Sequence, residues 1–446
     1  MFPVLASALP YVGYNLTLCP GVCLLHDGPR YTYIGFAPEI VFRQDTLPAL
    51  GDPLWAGGNL TPSLTPRPDL PPFQTGWMGF WGYEMLHALE RQALGPLPPY
   101  APYPHAWMGY YPAIIALDHD QKTAVAMAGG FPETDAVSWQ NKAQERLNLV
   151  TKSYQGMIGD DAAKRPPSLP LLSPSLSQET YGAMVEEARA SILDGTVYQL
   201  NIAQHFSGGY AKKDLPGLYH DLYQRHPAPY GGVLDMGDTV LLSLSPELFF
   251  SLDPQNTLIT RPMKGTRRRN LDNIRDDEAL KHDLQSSEKD RAENLMIVDL
   301  MRHDMAKICH PGSVVVPHLW TVESYSYVHQ MTSTLRGRVY DHTGPLDVLR
   351  TLFPSGSVTG APKIKAIDEI TRIEPLARGP FCGSMGYISA TGAMQFNVLI
   401  RTLVWAQDTL HLHTGCGIVA DSDPLAEYQE SLAKTGFLNT QRKIFS

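Results

Sequence analysis

The chain has 446 residues, of which 43% are hydrophobic and 18% are charged, and its formal net charge at pH 7 is −9. Such a composition is typical of a globular protein with a large buried core, and the length predicts two or three structural units. The negative charge argues against a nucleic-acid partner, which usually needs a basic surface, and no apolar run reaches the roughly 18–20 residues of a membrane span.

Short strands are predicted for most of the N-terminal region, residues 1–150. Runs rich in β-branched and aromatic residues occur at 31–35, 110–115 and 123–127, and turn residues separate them. One helix is predicted near 138–150.

A proline-rich segment follows this region. Between Lys164 and Ser175 the sequence reads KRPPSLPLLSPS, with four prolines in twelve residues. Such a segment continues neither a helix nor a central strand. We therefore predict a linker at 151–175 and a second region at 176–446.

The second region mixes helices and strands. Its first helix is predicted to begin after Ser177, a good N-cap, to carry an apolar stripe and to end at Gly195. The other predicted elements are helices at 287–305, 362–370 and from Asp423 onward, and strands at 197–206, 239–244, 248–252, 386–389, 397–403 and 410–413. They do not alternate regularly as β-α-β, which predicts an α+β fold with antiparallel sheets.

Five cysteines, an odd number and mostly far apart, predict the reduced thiols of a cytoplasmic protein. One of them, Cys23, lies in the segment GVCLLHD, which resembles the nucleophile turn G-x-C-x-G-x-Q of glutamine amidotransferases. Leu25 and Asp27 replace the second glycine and the glutamine of that turn. We therefore predict no glutaminase activity in this chain.

Two predicted helices carry paired acidic residues. Asp290 and Glu293 share one face of the helix at 287–305, and Glu427 and Glu430 share one face of the last helix. Glutamates brought together from separate helices would suit magnesium, which takes a few carboxylates and keeps waters and substrate oxygens.

A glycine-rich segment and one lysine are further candidates. The segment Thr414-Gly-Cys-Gly417 is predicted as a turn in which a ligand can approach the backbone. Lys264 precedes a glycine in PMKGT, and a buried lysine can lose its proton and act as a nucleophile.

Taken together, these segments resemble the chorismate-utilising enzymes, and most closely the branch that aminates chorismate. The matching blocks are GTVYQLNIAQ (195–204), SLSPELF (243–249), RPMKGT (261–266), KDRAENLMIVDLMRHD (289–304), GSVTGAPK (356–363), CGSMGY (382–387), IRT (400–402), GCGIVADS (415–422) and EYQESLAK (427–434). A weaker resemblance to anthranilate synthase component I covers LLHDG (24–28) and FQTGWMGFWGYE (73–84). The family implies two antiparallel β-sheets packed as a central sandwich with flanking helices.

The resemblance also implies a ligand set. Glu293 and Glu430 match the magnesium ligands, and Asp290 and Glu427 match supporting carboxylates. The residues that match the binding site for chorismate are Gln199, Gly265, Thr266, Ser357, Tyr387, Arg401, Gly415 and Gly417. Arg401 would provide the charged fork for the enolpyruvyl carboxylate.

Two positions indicate which reaction the resemblance implies. Gln199 stands where isochorismate synthases have a water-activating lysine, and Lys264 stands where anthranilate synthases usually have alanine. In the aminating branch the lysine attacks the ring, Glu247 is the general acid for the departing hydroxyl, and ammonia displaces the lysine. The implied product is 4-amino-4-deoxychorismate, for 4-aminobenzoate and folate biosynthesis, made with ammonia from a separate glutaminase.

Several alternatives stay open at this point. The chain could be an anthranilate synthase component I, or a non-catalytic regulatory subunit that binds chorismate or tryptophan. Leu25, Asp27, Pro229 and Tyr230 match a tryptophan pocket of the family, and ordinary packing is the competing interpretation. Gln330 replaces a catalytic histidine found in related enzymes, a role that the neighbouring His329 could take.

Overall fold

The computed structural model describes residues 3–11, 18–47, 64–89, 99, 103–157, 169–325 and 328–438. The strands are β1 (Leu5–Leu9), β2 (Cys23–Asp27), β3 (Tyr31–Gly35), β4 (Ile40–Gln44), β5 (Gly76–Trp81), β6 (Ala106–Tyr111), β7 (Ala113–Asp118), β8 (Thr123–Ala128), β9 (Ser173–Pro174), β10 (Gln199–Gly209), β11 (Gly232–Asp235), β12 (Thr239–Ser243), β13 (Leu248–Leu252), β14 (Thr257–Thr260), β15 (Met263–Arg268), β16 (Val315–Ser324), β17 (Val328–Arg338), β18 (Gly360–Ala361), β19 (Ser384–Ser389), β20 (Met394–Asn397), β21 (Thr402–Ala406) and β22 (Thr409–Ile418). The helices are α1 (Leu86–Leu89), α2 (Ala136–Met157), α3 (Gln178–Leu193), α4 (Leu215–Arg225), α5 (Ile274–Ser286), α6 (Glu288–Ala306), α7 (Pro345–Leu352), α8 (Lys363–Ile373) and α9 (Pro424–Ala433).

The strands form two antiparallel sheets. The first has the order β1-β8-β7-β3-β2-β11-β12-β21-β22-β10-β18, and β9 pairs with β10. The second has the order β15-β17-β14-β13-β20-β19-β5-β6-β4, and β16 pairs with β17.

A hydrophobic core joins the inner faces of the two sheets. Tyr33 and Val404 of the first sheet pack in one cluster with Phe80 and Met385 of the second. The helices cover the outer faces: α2 and α4 lie on the first sheet, and α6 and α7 lie on the second. The predicted sandwich of two antiparallel sheets with flanking helices is thus confirmed.

Both sheets contain strands from both predicted regions. The N-terminal strand β2 pairs with β11, and the N-terminal strand β5 pairs with β19. Helix α2 continues to Met157, inside the segment predicted as a linker at 151–175, and strand β9 lies just before the end of that segment. Much of its proline-rich part lies outside the described residues. None of the helices in the ranges given above is long and apolar enough to cross a membrane.

Three predictions of secondary-structure elements are wrong, for identifiable reasons. The run 110–115 is two strands, because Pro112 separates β6 from β7. The run 397–403 is interrupted by a bend, in which Arg401 has a φ of +50°. The predicted turn at 414–417 lies inside β22, where it pairs with β10. Gly415 and Gly417 allow close packing against β10 and do not reverse the chain.

Candidate active site

Lys264 on β15 meets two polar side chains of β10 beside β22. A methyl group placed on Gly417 would lie 3.0 Å from Lys264 Nζ, 2.5 Å from Gln199 Nε2 and 3.2 Å from Asn201 Oδ1. The three side chains therefore converge over the α-carbon of Gly417, and a larger residue there would displace them. The structure thus brings together three residues predicted for the site and adds Asn201.

Gln199 is fully buried, and neither its amide oxygen nor its amide nitrogen has a hydrogen-bond partner among the described residues. A buried polar group without a partner costs about 1–3 kcal/mol, and native proteins keep such groups mainly where they serve a function. The amide beside Lys264 is therefore well placed to receive a polar ligand.

The amine of Lys264 is half-buried, and desolvation lowers its pKa. The carboxylates of Glu293, Glu247 and Glu430 oppose this change, whereas the ammonium of Lys434 adds to it. A lowered pKa increases the neutral, nucleophilic fraction of the amine near pH 7. Lys264 therefore combines a position inside the site with an environment that activates it.

Glu247 follows β12 in the S-P-E segment and is 4% exposed. Its carboxyl accepts a hydrogen bond of 2.6 Å from the Ser357 hydroxyl. Burial raises the pKa of Glu247 to about 7, against the opposing effects of Ser357 and Lys264. A carboxyl with this pKa is partly protonated at neutral pH, as a general acid must be.

Two helices bring carboxylates to Lys264. Glu293 on α6 and Glu430 on α9 both interact electrostatically with its amine, and Glu430 forms an ion pair of 2.8 Å with Lys434. Carboxylate oxygens from two elements are the donor set that magnesium takes, completed by waters and substrate oxygens. Glu293 and Glu430, which both lie near the Lys264 amine, are therefore compatible with the predicted magnesium ligands.

Glu427 stands beside Glu430. Among the described residues, the ligand atoms of Cys416, Glu427 and Glu430 lie within 4.8 Å of one another. Burial raises the pKa of Glu427, although its carboxylate accepts a hydrogen bond of 2.7 Å from the Ser422 hydroxyl. This arrangement is compatible with the predicted supporting carboxylate.

Lys434 is predicted to share a helix face with Glu427 and Glu430, but no role in the site is predicted for it. Its Nζ donates to the carbonyl oxygen of Gly415 over 2.6 Å and lies 3.7 Å from Cys416 Sγ. Although burial opposes it, the proximity of Cys416 and Glu430 raises the pKa of Lys434. The Lys434 side chain therefore stays protonated and positively charged near neutral pH. In the sequence, its position four residues after Glu430 predicts this ion pair.

Asp290 supports the strand that carries Lys264. A methyl group on Gly265, which has a φ of +82°, would lie 2.8 Å from Asp290 Oδ1. The same carboxylate forms an ion pair of 2.9 Å with Arg267. Asp290 thus packs against Gly265, and only glycine combines that contact with a positive φ.

Two further predicted residues, Arg401 and Thr266, are exposed. Arg401 forms no ion pair within the described ranges, which leaves its guanidinium available to an anion. Thr266 is exposed and pairs across β15 and β17 with Gln330, whose buried amide oxygen has no partner among the described residues.

Tyr387 lies in a different part of the molecule from the one predicted. Its hydroxyl donates to Asp27 over 2.9 Å, and its ring packs against Tyr33 and Phe73 inside the sandwich. Alternation along β19 turns this side chain toward the other sheet. The structure therefore groups Tyr387 with the residues predicted for a tryptophan pocket, and not with Lys264.

Of the residues predicted for that pocket, Leu25 packs in one core cluster with Tyr33, Phe73 and Tyr387, and Asp27 accepts hydrogen bonds from Tyr33 and Tyr387. Leu25 pairs with Gly232 on β11, directly after the segment that contains Pro229 and Tyr230. Burial raises the pKa of Asp27 to about 6, against hydrogen bonds from Tyr387 and Tyr33. We call the group Leu25, Asp27, Tyr33, Phe73, Tyr230 and Tyr387 the inner cluster.

Two residues considered for chemistry are held in structural roles. His329 forms hydrogen bonds with Ser324 and with Asp277, which in turn is paired with Arg269. Both ring nitrogens of His329 are thus engaged by neighbouring side chains. Cys23 is completely buried inside β2, and desolvation raises the pKa of its thiol far from the nucleophilic range.

Comparisons with known proteins agree with this geometry. The family model described as chorismate binding enzyme matches residues 21–440. The chain is 36% identical over 451 residues to aminodeoxychorismate synthase component 1 of Klebsiella aerogenes, covering 96% of this chain and 95% of that protein. It is 33% identical over 416 residues to anthranilate synthase component 1 of Streptomyces coelicolor, covering 91% of this chain and 79% of that protein. The crystal structure of anthranilate synthase component I from Streptococcus pneumoniae superimposes with a TM-score of 0.80 at 27% identity, covering 92% of each chain.

Proposed function

This chain belongs to the chorismate-binding enzymes, and from that premise we propose that it is the component of an aminodeoxychorismate synthase that aminates chorismate. Its own reaction uses chorismate, as in the family. The observation that carries the finer assignment is Lys264, whose desolvated amine lies next to Gln199 in the site. An alanine at that position would leave room for ammonia but no nucleophile.

The proposed reaction has two displacements. The neutral Lys264 amine attacks the second ring carbon, both ring double bonds shift by one position, and the hydroxyl on the fourth carbon leaves as water with a proton from Glu247. Ammonia then attacks the fourth carbon, both double bonds shift back, and Lys264 departs as a neutral amine with the electron pair of its bond. The new ammonium group returns a proton to Glu247, which restores the starting state.

The remaining side chains would bind and orient the substrate. Magnesium bound by Glu293 and Glu430 would act as a Lewis acid and hold the ring carboxylate. Arg401 and Lys434 supply positive charge for a carboxylate, and the backbone of Gly415 and Gly417 permits close approach. Gln199 has no acid–base function at neutral pH and would orient the ammonia or the ring by hydrogen bonds.

The ammonia is proposed to come from a separate glutaminase. Cys23, in the one segment that resembles a glutaminase turn, is a core residue, and the names of the relatives as component 1 suggest a second component. Five free cysteines fit a protein of the reducing cytoplasm.

Product identity tests this function. The purified chain, incubated with chorismate, magnesium and ammonium, should yield 4-amino-4-deoxychorismate, identified by mass and by conversion to 4-aminobenzoate with a lyase. Anthranilate and pyruvate as products would instead identify an anthranilate synthase, the function of one of the relatives described above.

Removal of the metal should abolish turnover. A chelator is expected to stop chorismate consumption, and added magnesium should restore it. Glu430→Gln should raise the magnesium concentration for half-maximal rate about 10- to 100-fold, because one charged ligand is lost. Glu186→Gln, which changes an exposed partner of Arg189 on α3, is the control and should match the wild type. An unchanged magnesium dependence in Glu430→Gln would contradict the assignment.

We also propose tryptophan as the ligand of the inner cluster, where the Asp27 carboxylate would bind its ammonium group. Saturating tryptophan, at about 100 times its Kd, should stabilise the wild type by about 2.7 kcal/mol. Asp27→Asn should lose this stabilisation in a thermal unfolding assay. No shift in the wild type at millimolar tryptophan would favour ordinary packing.

A further inference from the structure

Arg378 is a buried cation outside the site described so far. It is 2% exposed and follows α8, four residues after its partner Glu374. Its Nε and Nη2 donate to the two Glu374 oxygens over 2.9 and 2.6 Å. The rings of Tyr83 and Phe381 lie 4.8 and 5.8 Å from its guanidinium carbon. Such a pair satisfies the charge, but hydrophobic residues of similar volume often stabilise a core equally well. Stability alone therefore gives a weak reason for an arginine here.

The guanidinium also binds two backbone carbonyls that belong to the walls of the site. Nη2 donates to the carbonyl oxygen of Asn201 over 2.7 Å, and Nη1 donates to that of Val358 over 3.0 Å. Asn201 meets Lys264 over Gly417, and Val358 follows Ser357, the partner of Glu247. The Arg378 guanidinium thus links β10, which carries Asn201 beside Lys264, to the loop that carries Val358 and Ser357 beside Glu247.

Other hydrogen bonds reinforce the same link. Glu374 Oε1 accepts a bond of 2.9 Å from the backbone N–H of Ala203, two residues after Asn201 on β10. The side-chain amide of Asn201 donates to the carbonyl oxygens of Ser357 and Thr359, each over 3.2 Å. The ion pair therefore fixes β10 and the 357–359 loop against each other at several points.

The backbone of Arg378 is itself held from the N-terminal half of the chain. The Glu84 carboxylate accepts hydrogen bonds from the N–H groups of Arg378 and Gly379, over 2.7 and 3.0 Å. Glu84 is 2% exposed and lies in the short helical turn before α1. Arg378 is thus tied to the polypeptide on both sides and has little freedom to shift.

We propose that Arg378 is a positioning residue for catalysis, which sets the separation between Lys264 and Glu247 through the carbonyls of Asn201 and Val358. The proposal rests on the roles given to Lys264 and Glu247 under the proposed function. It requires a planar group with several fixed donors, because one lysine nitrogen cannot serve two carboxylate oxygens and two carbonyls in this geometry. A displacement of about 1 Å in a catalytic group can cost about a hundredfold in rate.

The experiment compares two buried arginines of the same design. Arg146 is 4% exposed, pairs with Glu39 through two nitrogens, and donates to the carbonyls of Gly129 and Phe131. Both variants, Arg378→Lys and Arg146→Lys, should lose thermal stability, and Arg146→Lys should lose less, because the side chain of its partner Glu39 is 43% exposed whereas that of Glu374 is 5% exposed. We expect Arg378→Lys to lower kcat about 10- to 100-fold with a smaller change in the KM for chorismate. Arg146→Lys should keep kcat within about twofold of the wild type.

The test of Arg378 does not depend on which product the enzyme forms. Chorismate consumption reports on Arg378 whichever compound is formed, whereas a different product contradicts only the proposed function. Equal kcat in the two folded variants would overturn the positioning role. If Arg378→Lys does not fold, Glu374→Gln, which keeps an acceptor oxygen, should lower kcat several-fold while Glu39→Gln leaves kcat unchanged. A folded Glu374→Gln with wild-type kcat would overturn the proposal in the same way.

Discussion

Lys264→Ala should reduce the formation of 4-amino-4-deoxychorismate by at least about a thousandfold, because the first displacement then has no nucleophile. Folding should survive, because the half-buried Lys264 side chain forms no ion pair among the described residues. The measurement is product formation under saturating chorismate, magnesium and ammonium, together with circular dichroism of the variant.

Lys212→Ala is the matched control for this experiment. Lys212 is also partly buried and pairs with the fully buried carboxylate of Asp235. We expect it to lose stability but to keep its catalytic rate. Wild-type product formation in Lys264→Ala would refute the covalent step, and a switch to anthranilate in that variant would show that the lysine selects the product.

Glu247→Gln should lower kcat about 100- to 10,000-fold, because the amide accepts the Ser357 hydrogen bond but has no proton to transfer. In the wild type, kcat should fall as the pH rises through about 7, where Glu247 loses its proton. Protonation of the Lys264 amine at lower pH should also reduce kcat, because burial lowers the pKa of this amine but does not remove its basicity. The variant should lack the alkaline decrease, and Glu145→Gln on the exposed face of α2 should retain it.

The raised pKa of Glu247 predicts that the free energy of unfolding decreases as the pH rises. Its folded pKa of about 7 lies above the usual 4.5, so the folded protein retains a proton that the unfolded chain releases. Stability is therefore unaffected below pH 4.5 and decreases by about 3 kcal/mol as the pH rises to about 7. Relative to the wild type, Glu247→Gln should gain this amount between pH 4.5 and pH 8 in denaturant unfolding. A constant difference would mean that the carboxyl is not buried in solution.

The sequence predicts best those features that depend on neighbouring residues. Ser177 and Asp423 are N-caps as expected, and their hydroxyl and carboxylate groups accept hydrogen bonds from Thr180 and Ala426. Caps and helical stripes involve only a few consecutive positions. For the same reason, the helices that carry Glu293 and Glu430 were located within one or two residues.

Features that depend on distant pairing could not be predicted in this way. The Gly415–Gly417 segment has the composition of a turn, but its position in β22 follows from pairing with β10, more than two hundred residues earlier. Tyr387 follows the family motif in sequence, whereas its contact with Asp27 follows from packing between two sheets. Arg378 carries no local signal beyond its spacing from Glu374, because its carbonyl partners come from two other segments.

The sharing of both sheets between the two halves limits how this protein can be shortened. Deleting the first 157 residues would strip β2 from β11 and β5 from β19, leaving two long rows of unsatisfied N–H and C=O groups at new sheet edges. Uncovered edges of this kind promote aggregation. We therefore expect truncation to yield no autonomous catalytic fragment, because residues 1–157 supply strands to both sheets even if this region binds no ligand.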